Sequence, residues 1–232
     1  LSQKLKLVCL IIIFLIFNSA DIFLGTKDVS WMIINIVLFI FFVLFFNQID
    51  GINGLSALTF ITFISLIFFF TNYTIMAAPL FISIIVPVLV YLNFNMRLKT
   101  VLQGDAGSYF IGAFSYLIIS RYESYTEIVY SIFFLAPLLL DVSLTSISRV
   151  WYGKKLLEGH RDNIYQQLTV KYKRHSYVTF SIVTLQLVFS IFVILSNKHF
   201  IIHNSILFNI LLSLILVFFW YKLHSKFNIK NI

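Results

Sequence analysis

The chain has 232 residues, of which 60% are hydrophobic, 27 are Phe and only 11% are charged, against roughly 25% charged in a typical soluble domain. At a mean hydropathy of +0.95, a soluble globule would leave large apolar patches in water, so disordered chains and soluble nucleic-acid binders are excluded. The one cysteine, Cys9, lies in an apolar run and excludes an intramolecular disulfide and a Cys-rich metal site.

This is the composition of an all-α, polytopic transmembrane helix bundle, with 1–232 as a single integral membrane domain. About 20 mostly apolar residues cross the hydrocarbon as a helix. In chain order the predicted spans, about eight, are Leu7–Leu24, Trp31–Phe46, Leu55–Thr71, Ala78–Tyr91, Ser108–Ser120, Ile128–Ser146, Tyr177–Ser196 and Asn204–Tyr221. A β-barrel is excluded, because its strands alternate polar and apolar residues, whereas Ile33–Phe46 is apolar on every side apart from Asn35.

An even number of spans puts both termini on one side. All of the 17 basic residues except Lys27, Arg121 and Lys198 fall in loops on that side. The positive-inside rule makes it cytoplasmic. The net charge of +8 is thereby a matter of topology, and no nucleic-acid partner is expected.

The same loops hold Gly51, Gly54, Gly104, Gly107, Gly153 and Gly159, with Asp50 and Asp105. A site open to the cytoplasm is the economical inference, since such clusters at helix ends supply backbone donors and oxygen ligands. The first cluster, Asn47-Gln48-Ile49-Asp50-Gly51-Ile52-Asn53-Gly54, ends an apolar run. It reads either as a helix-to-loop transition, with Gly51 as C-cap and Asn53 as the next N-cap, or as a functional carboxylate at the membrane boundary. The second, Gln103-Gly104-Asp105-Ala106-Gly107-Ser108, opens the fifth span. Asp105 is there an N-cap, or part of a phosphate and Mg²⁺ site at a helix N-terminus. The third lies in a long loop, 147–176, at Gly159-His160-Arg161-Asp162-Asn163. That loop also suits anionic lipid head groups. Asp141, near the end of the sixth span, is expected to pair with Arg149 or a neighbour. His175, His199, His203 and His224 show no ligand spacing, and there is no P-loop, nucleophile elbow or zinc motif.

In order, the three clusters resemble the polyprenyl-phosphate N-acetylhexosamine-1-phosphate transferases of glycosyltransferase family 4. Residues 47–54 are similar to that family's Asn-x-x-Asp-Gly-(Ile/Leu)-Asp-Gly. Residues 104–108 resemble its Gly-Asp-(Ala/Thr)-Gly-Ser, and 159–168 its His-Arg-x-His-Leu-Tyr-Gln-Arg-Leu loop. Three positions depart from the pattern: Asn53 replaces an Asp, Asn163 a His, and Gln167 a basic residue. The family also carries an Asp-Asp pair in an earlier cytoplasmic loop. No such pair occurs here, and Leu1-Ser2-Gln3-Lys4-Leu5 looks like the stretch that follows it. The resemblance therefore implies an N-terminally truncated transferase.

The resemblance implies transfer of HexNAc-1-phosphate from a UDP-sugar such as UDP-GlcNAc to undecaprenyl phosphate, with release of UMP. The setting is the bacterial inner membrane, where such a step initiates cell-envelope glycans, including lipopolysaccharide and peptidoglycan. It implies Mg²⁺ as cofactor, with Asp105 and Asp50 as ligands and Asp50, Asp105 and Asn47 as catalytic residues. His160, Arg161, Asn53, Gly104, Gly107 and Ser108 bind substrate. The implied partners are a UDP-HexNAc, a polyprenyl phosphate and membrane lipid. The alternative is a catalytically inactive membrane remnant of such an enzyme.

Overall fold

The structure is a computed structural model that describes residues 3–18, 29–70, 78–122, 125–155, 160–199 and 202–226. Among these it is all helical: α1 (Gln3–Phe17), α2 (Val29–Ile49), α3 (Leu55–Phe70), α4 (Ala78–Leu92), a π-helical turn (Asn93–Leu98), α5 (Gly104–Ile119), α6 (Tyr125–Phe133), α7 (Ala136–Trp151), α8 (Ile164–Tyr172), α9 (His175–His199) and α10 (Ile202–Lys226). The expected all-α membrane bundle is what forms. Lys27 and Gly159, used in the sequence reading, lie outside the described residues.

The described part of each of the eight predicted spans falls mostly on helix, with residues 19–24 and 71 outside the described residues, but the lengths differ from expectation. Four described helices, in α2, α4 with its π-turn, α9 and α10, are long and apolar enough to cross a membrane, or five if one bent pair is a single span. That pair is α6 and α7, which meet at 79° within the predicted span Ile128–Ser146. Pro137 explains the break. It lacks an amide hydrogen, and its ring crowds the carbonyl one turn back, at Phe133. The chain closes instead through a tight turn, Leu135 N–H to the Ile132 carbonyl at 3.0 Å. The loop 147–176 likewise carries structure: α7 runs on to Trp151, and α8 occupies Ile164–Tyr172.

The packed centre is built on α2. Phe42, Val43, Phe46 and Ile49 are fully buried, with the rings of Phe42 and Phe46 on Phe63 and Phe60 of α3. Around Tyr116 the rings of Phe14 and Phe39 pack at 6.0 and 5.3 Å, the tilted geometry that aromatic quadrupoles favour. Much of α9 and α10 remains apolar and exposed, as lipid-facing surface does.

One contact sets the register that the site depends on. Gly112 of α5 lies directly on the backbone of α2: a Cβ there would stand 2.5 Å from Val43 Cα and 2.7 Å from the Phe42 carbonyl. Small residues allow membrane helices this approach. Toward one end, Tyr116 donates to Asn35 Oδ1 at 3.1 Å. Toward the other, Asn47 reaches Ser108. Contacts that rise along α2 and fall along α5 make the two helices antiparallel. The last turn of α2 and the first turn of α5 thus share one end of the bundle.

Candidate active site

At that end the first two clusters meet. The Asn47 amide donates to Asp105 Oδ1 at 3.1 Å and to Ser108 Oγ at 3.0 Å. Ser108 Oγ turns back to the Gly104 and Asp105 carbonyls. Asp105 does not cap its helix: Gln103 holds the N-cap position, and the Asp105 side chain lies in the first turn. Its second oxygen pairs with the Lys6 ammonium at the start of α1. Lys6, ahead of Asn47, holds the carboxyl below the usual carboxylate range.

Asp50 follows the last turn of α2 and is half-buried. Burial, and then the Asp105 charge, push its carboxyl up to about 7. Asp50 thus lies near enough to Asp105 for the two negative charges to act on each other. Gly51 is not a left-handed C-cap; the positive φ belongs to Gly54, at 78°. Nor does Asn53 cap α3. Its side chain donates to the Asn95 carbonyl at 3.1 Å, its N–H to His175 Nδ1 at 3.4 Å, and its carbonyl accepts from Thr179 at 2.9 Å.

A cavity of about 260 Å³ opens among these groups, lined by Asp50, Gly51, Ile52, Asn53, Asn95, Leu102, Gln103 and Gly104. Asn95 Oδ1 is buried there without a donor among the described residues. Gly104 takes φ +62°, a conformation open to glycine at little cost.

The third cluster reaches the first through α8. The Tyr165 hydroxyl donates to the Gln48 carbonyl at 2.7 Å, and Gln166 lies where a Gly51 Cβ would stand. His160 is half-buried and accepts the Asp162 N–H at 3.3 Å. Burial, and then Arg149, keep its imidazole below the usual range. Arg161 is exposed, and its charge and that of Lys99 act on His175 beside Asn53. Asp162 is committed to a buried ion pair with Arg149, with Lys154 at 4.0 Å. Asp141, expected to pair with Arg149 or a neighbour, bonds the N-terminus of α8 instead, and Arg149 is taken by Asp162.

The structure thus brings together Asn47, Asp50, Asn53, Gly104, Asp105 and Ser108, with Arg161 at the margin. Gly107 sits one turn inside α5 against the Gln103 side chain. His160 associates with Arg149, Lys154 and Asp162, and no described contact joins it to Asp50 or Asp105. Lys6 was missed, because a cation beside Lys4 at the head of an apolar run reads as topology.

The model of glycosyl transferase family 4 matches residues 1–122, which hold the first two clusters. The chain belongs to glycosyl transferase family 4. No curated protein and no solved structure matches it. As a member of this family it is a membrane protein and a polyprenyl-phosphate sugar-phosphate transferase, acting in general between a nucleotide-sugar donor and a polyprenyl-phosphate acceptor. The loop with His160 lies beyond the matched residues.

Members of glycosyl transferase family 4 are usually Mg²⁺-dependent, and the donor set here suits that ion. Magnesium is commonly held by one or two carboxylates, with water and substrate phosphate completing the octahedron. Asp50 and Asp105 offer hard oxygen ligands, and Asp105 already carries a cation in the Lys6 ammonium. Among the described residues no three His, Cys, Asp or Glu side chains converge, so the residues fit an ion shared with substrate rather than one caged by protein.

Proposed function

We propose that this family 4 protein transfers HexNAc-1-phosphate from a UDP-HexNAc to undecaprenyl phosphate at the cytoplasmic face of a bacterial inner membrane, releasing UMP. The observation that carries the reading is the meeting of Asn47, Asp50 and Asp105 at one end of the bundle, beside a cavity. In the reaction an oxygen of the lipid phosphate attacks the sugar-bearing phosphorus of the donor. The bond from that phosphorus to the bridging oxygen breaks, and UMP leaves with the electron pair. Two anions must approach, so catalysis rests on positioning and charge stabilisation. Asp50 and Asp105 would hold Mg²⁺, which supplies positive charge to the phosphate oxygens. Asn47 orients Asp105. Arg161 and Lys99 offset donor charge at the cavity margin, with His160 further along the loop. Gly104, Gly107 and Ser108 shape the first turn of α5 for a phosphate. Lipid-facing helices provide the apolar surface for the polyprenyl tail.

The second reading, an inactive member of the family, is favoured by Asn53 and Asn163. Each uses its amide as a hydrogen-bond donor, to the Asn95 carbonyl and the Tyr165 hydroxyl, where the family pattern has an Asp and a His. The test is UMP release by the membrane-reconstituted chain from UDP-GlcNAc, or from a UDP-linked muramoyl peptide, with undecaprenyl phosphate and Mg²⁺. Release that depends on the lipid acceptor and is abolished in Asp50→Asn and Asp105→Asn supports transfer. No release from either donor favours the inactive reading.

A further inference from the structure

We propose that Asp141 and Trp220 are positioning residues for the candidate active site, fixing the N-terminus of α8 so that Tyr165 and Gln166 hold the turn that carries Asp50. The functional side of this inference rests on the transferase reading; the mechanical side does not.

The first amides of any helix need acceptors from outside it. At α8 the N-cap residue does not provide one. Asn163 has the extended backbone of an N-cap but no side-chain cap bond, and its amide donates to the Tyr165 hydroxyl at 2.9 Å instead. Asp141 of α7 takes over. Its Oδ1 accepts the Ile164 N–H at 3.1 Å, and its Oδ2 accepts the Tyr165 N–H at 3.4 Å. A carboxylate in this place also suits the positive end of the helix dipole. Asp141 is buried, and its Oδ1 accepts further bonds from Thr145 at 3.4 Å and from the Trp220 indole at 2.9 Å. An indole has a single N–H, and α10 spends it here. Three helices are thereby tied to one carboxylate.

The tie is passed on to the site. Tyr165 is fully buried, and its hydroxyl donates to the Gln48 carbonyl at 2.7 Å. The Gln166 amide fills the space in front of Gly51. Asp50 therefore stands between two residues whose positions α8 determines. Asp141 and Trp220 are outside the cavity lining, so they act through α8 and not on substrate.

The test is hydrogen–deuterium exchange on the full chain in lipid nanodiscs, read alongside UMP release. Trp220→Phe keeps a ring but removes the N–H, and Asp141→Asn keeps the shape but removes the charge. Both are expected to speed exchange at Ile164 and Tyr165 by roughly tenfold or more, the scale of a lost bond to a charged acceptor, and to speed it across 48–54 as well. Tyr165→Phe cuts the link to Gln48, and with it the Asn163 bond to the same hydroxyl, but leaves Asp141 on the amides of 164 and 165, so it should loosen 48–54 and leave those two amides protected. Loosening of α8 in the first two variants with 48–54 unchanged would overturn the proposal, as would an unchanged 48–54 in Tyr165→Phe. In the assay, a positioning role lowers kcat more than it raises KM for the UDP-sugar; unaltered kcat in variants with altered exchange would also overturn it. If the parent chain releases no UMP, the transferase reading fails while exchange still decides the coupling.

Discussion

The amide of Asn47 stands 3.1 Å from the Asp105 carboxylate, across 58 positions of sequence. That bond joins two motifs that look independent along the chain. It exists because α2 and α5 run antiparallel at a separation that only the missing side chain of Gly112 permits.

The first prediction concerns that glycine. In a helix interior, Gly→Ala ordinarily gains about 1 kcal/mol. At Gly112 the added methyl meets α2 backbone atoms at 2.5, 2.7 and 2.9 Å, and backbone cannot step aside as a flexible side chain does. Overpacking of this kind costs about 1–3 kcal/mol, so Gly112→Ala should lower the melting temperature in detergent. Gly107→Ala is the control. Its methyl meets only the Gln103 side chain, at 2.7 Å, and its melting temperature should hold or rise.

Restoring the family's carboxylate at position 53 should harm rather than help. Asn53 donates to the Asn95 carbonyl at 3.1 Å; an Asp would turn an acceptor toward an acceptor. The expected cost is about 1–3 kcal/mol, seen as lower thermal stability of Asn53→Asp above pH 6. An increase in stability there would contradict the hydrogen-bond assignment.

A third expectation is a pH dependence at His160. Burial, and then Arg149, lower its pKa from 6.5. Between the lowered value and 6.5 the unfolded chain binds more protons than the folded one, so stability rises with pH across that window. The contribution is whole above 6.5 and is lost as pH falls through the lowered value. Ring NMR, assigned with His160→Gln, should show a midpoint below 6.5; a midpoint at or above it contradicts the burial of the loop.

Lys6 supplies the fourth. Its ammonium occupies Asp105, where a divalent ion is proposed to bind. Lys6→Met removes this competitor and should tighten Mn²⁺ binding measured by electron paramagnetic resonance, whereas Asp105→Asn should abolish it. Weaker Mn²⁺ binding in Lys6→Met would place the ion elsewhere.

Much of the site was legible because its chemistry sits at helix ends. Asn47, Asp50 and Asp105 interrupt apolar runs, and polar groups at such places stand out against a background of Phe, Ile and Leu. Their competing roles as caps were not separable by sequence, since capping depends on where a side chain turns. Asp105 turns to Lys6 and Asn47, and Asn53 to the π-turn. The break at Pro137 was hidden in a run that is continuously apolar around it, although the proline itself gave the signal. Gly112 could not be read at all, and Asp141 stood out as a structural acid without its partners being legible. The first matters through what lies 2.5 Å from a missing atom, the second through amides 23 and 24 positions away.

The bracing of α2 on α5 also bears on the surrounding lipid. Helices respond to a bilayer thicker or thinner than their apolar length by changing tilt. A pair locked through Asn35 and Tyr116 at one level, and through Gly112 and Val43 at another, has to tilt as one body. Bilayer thickness then alters how deep Asp50 and Asp105 sit below the head groups without altering how they face each other. Acyl-chain length should accordingly act on access of the proposed lipid substrate, leaving the cation affinity proposed for the two carboxylates as it is.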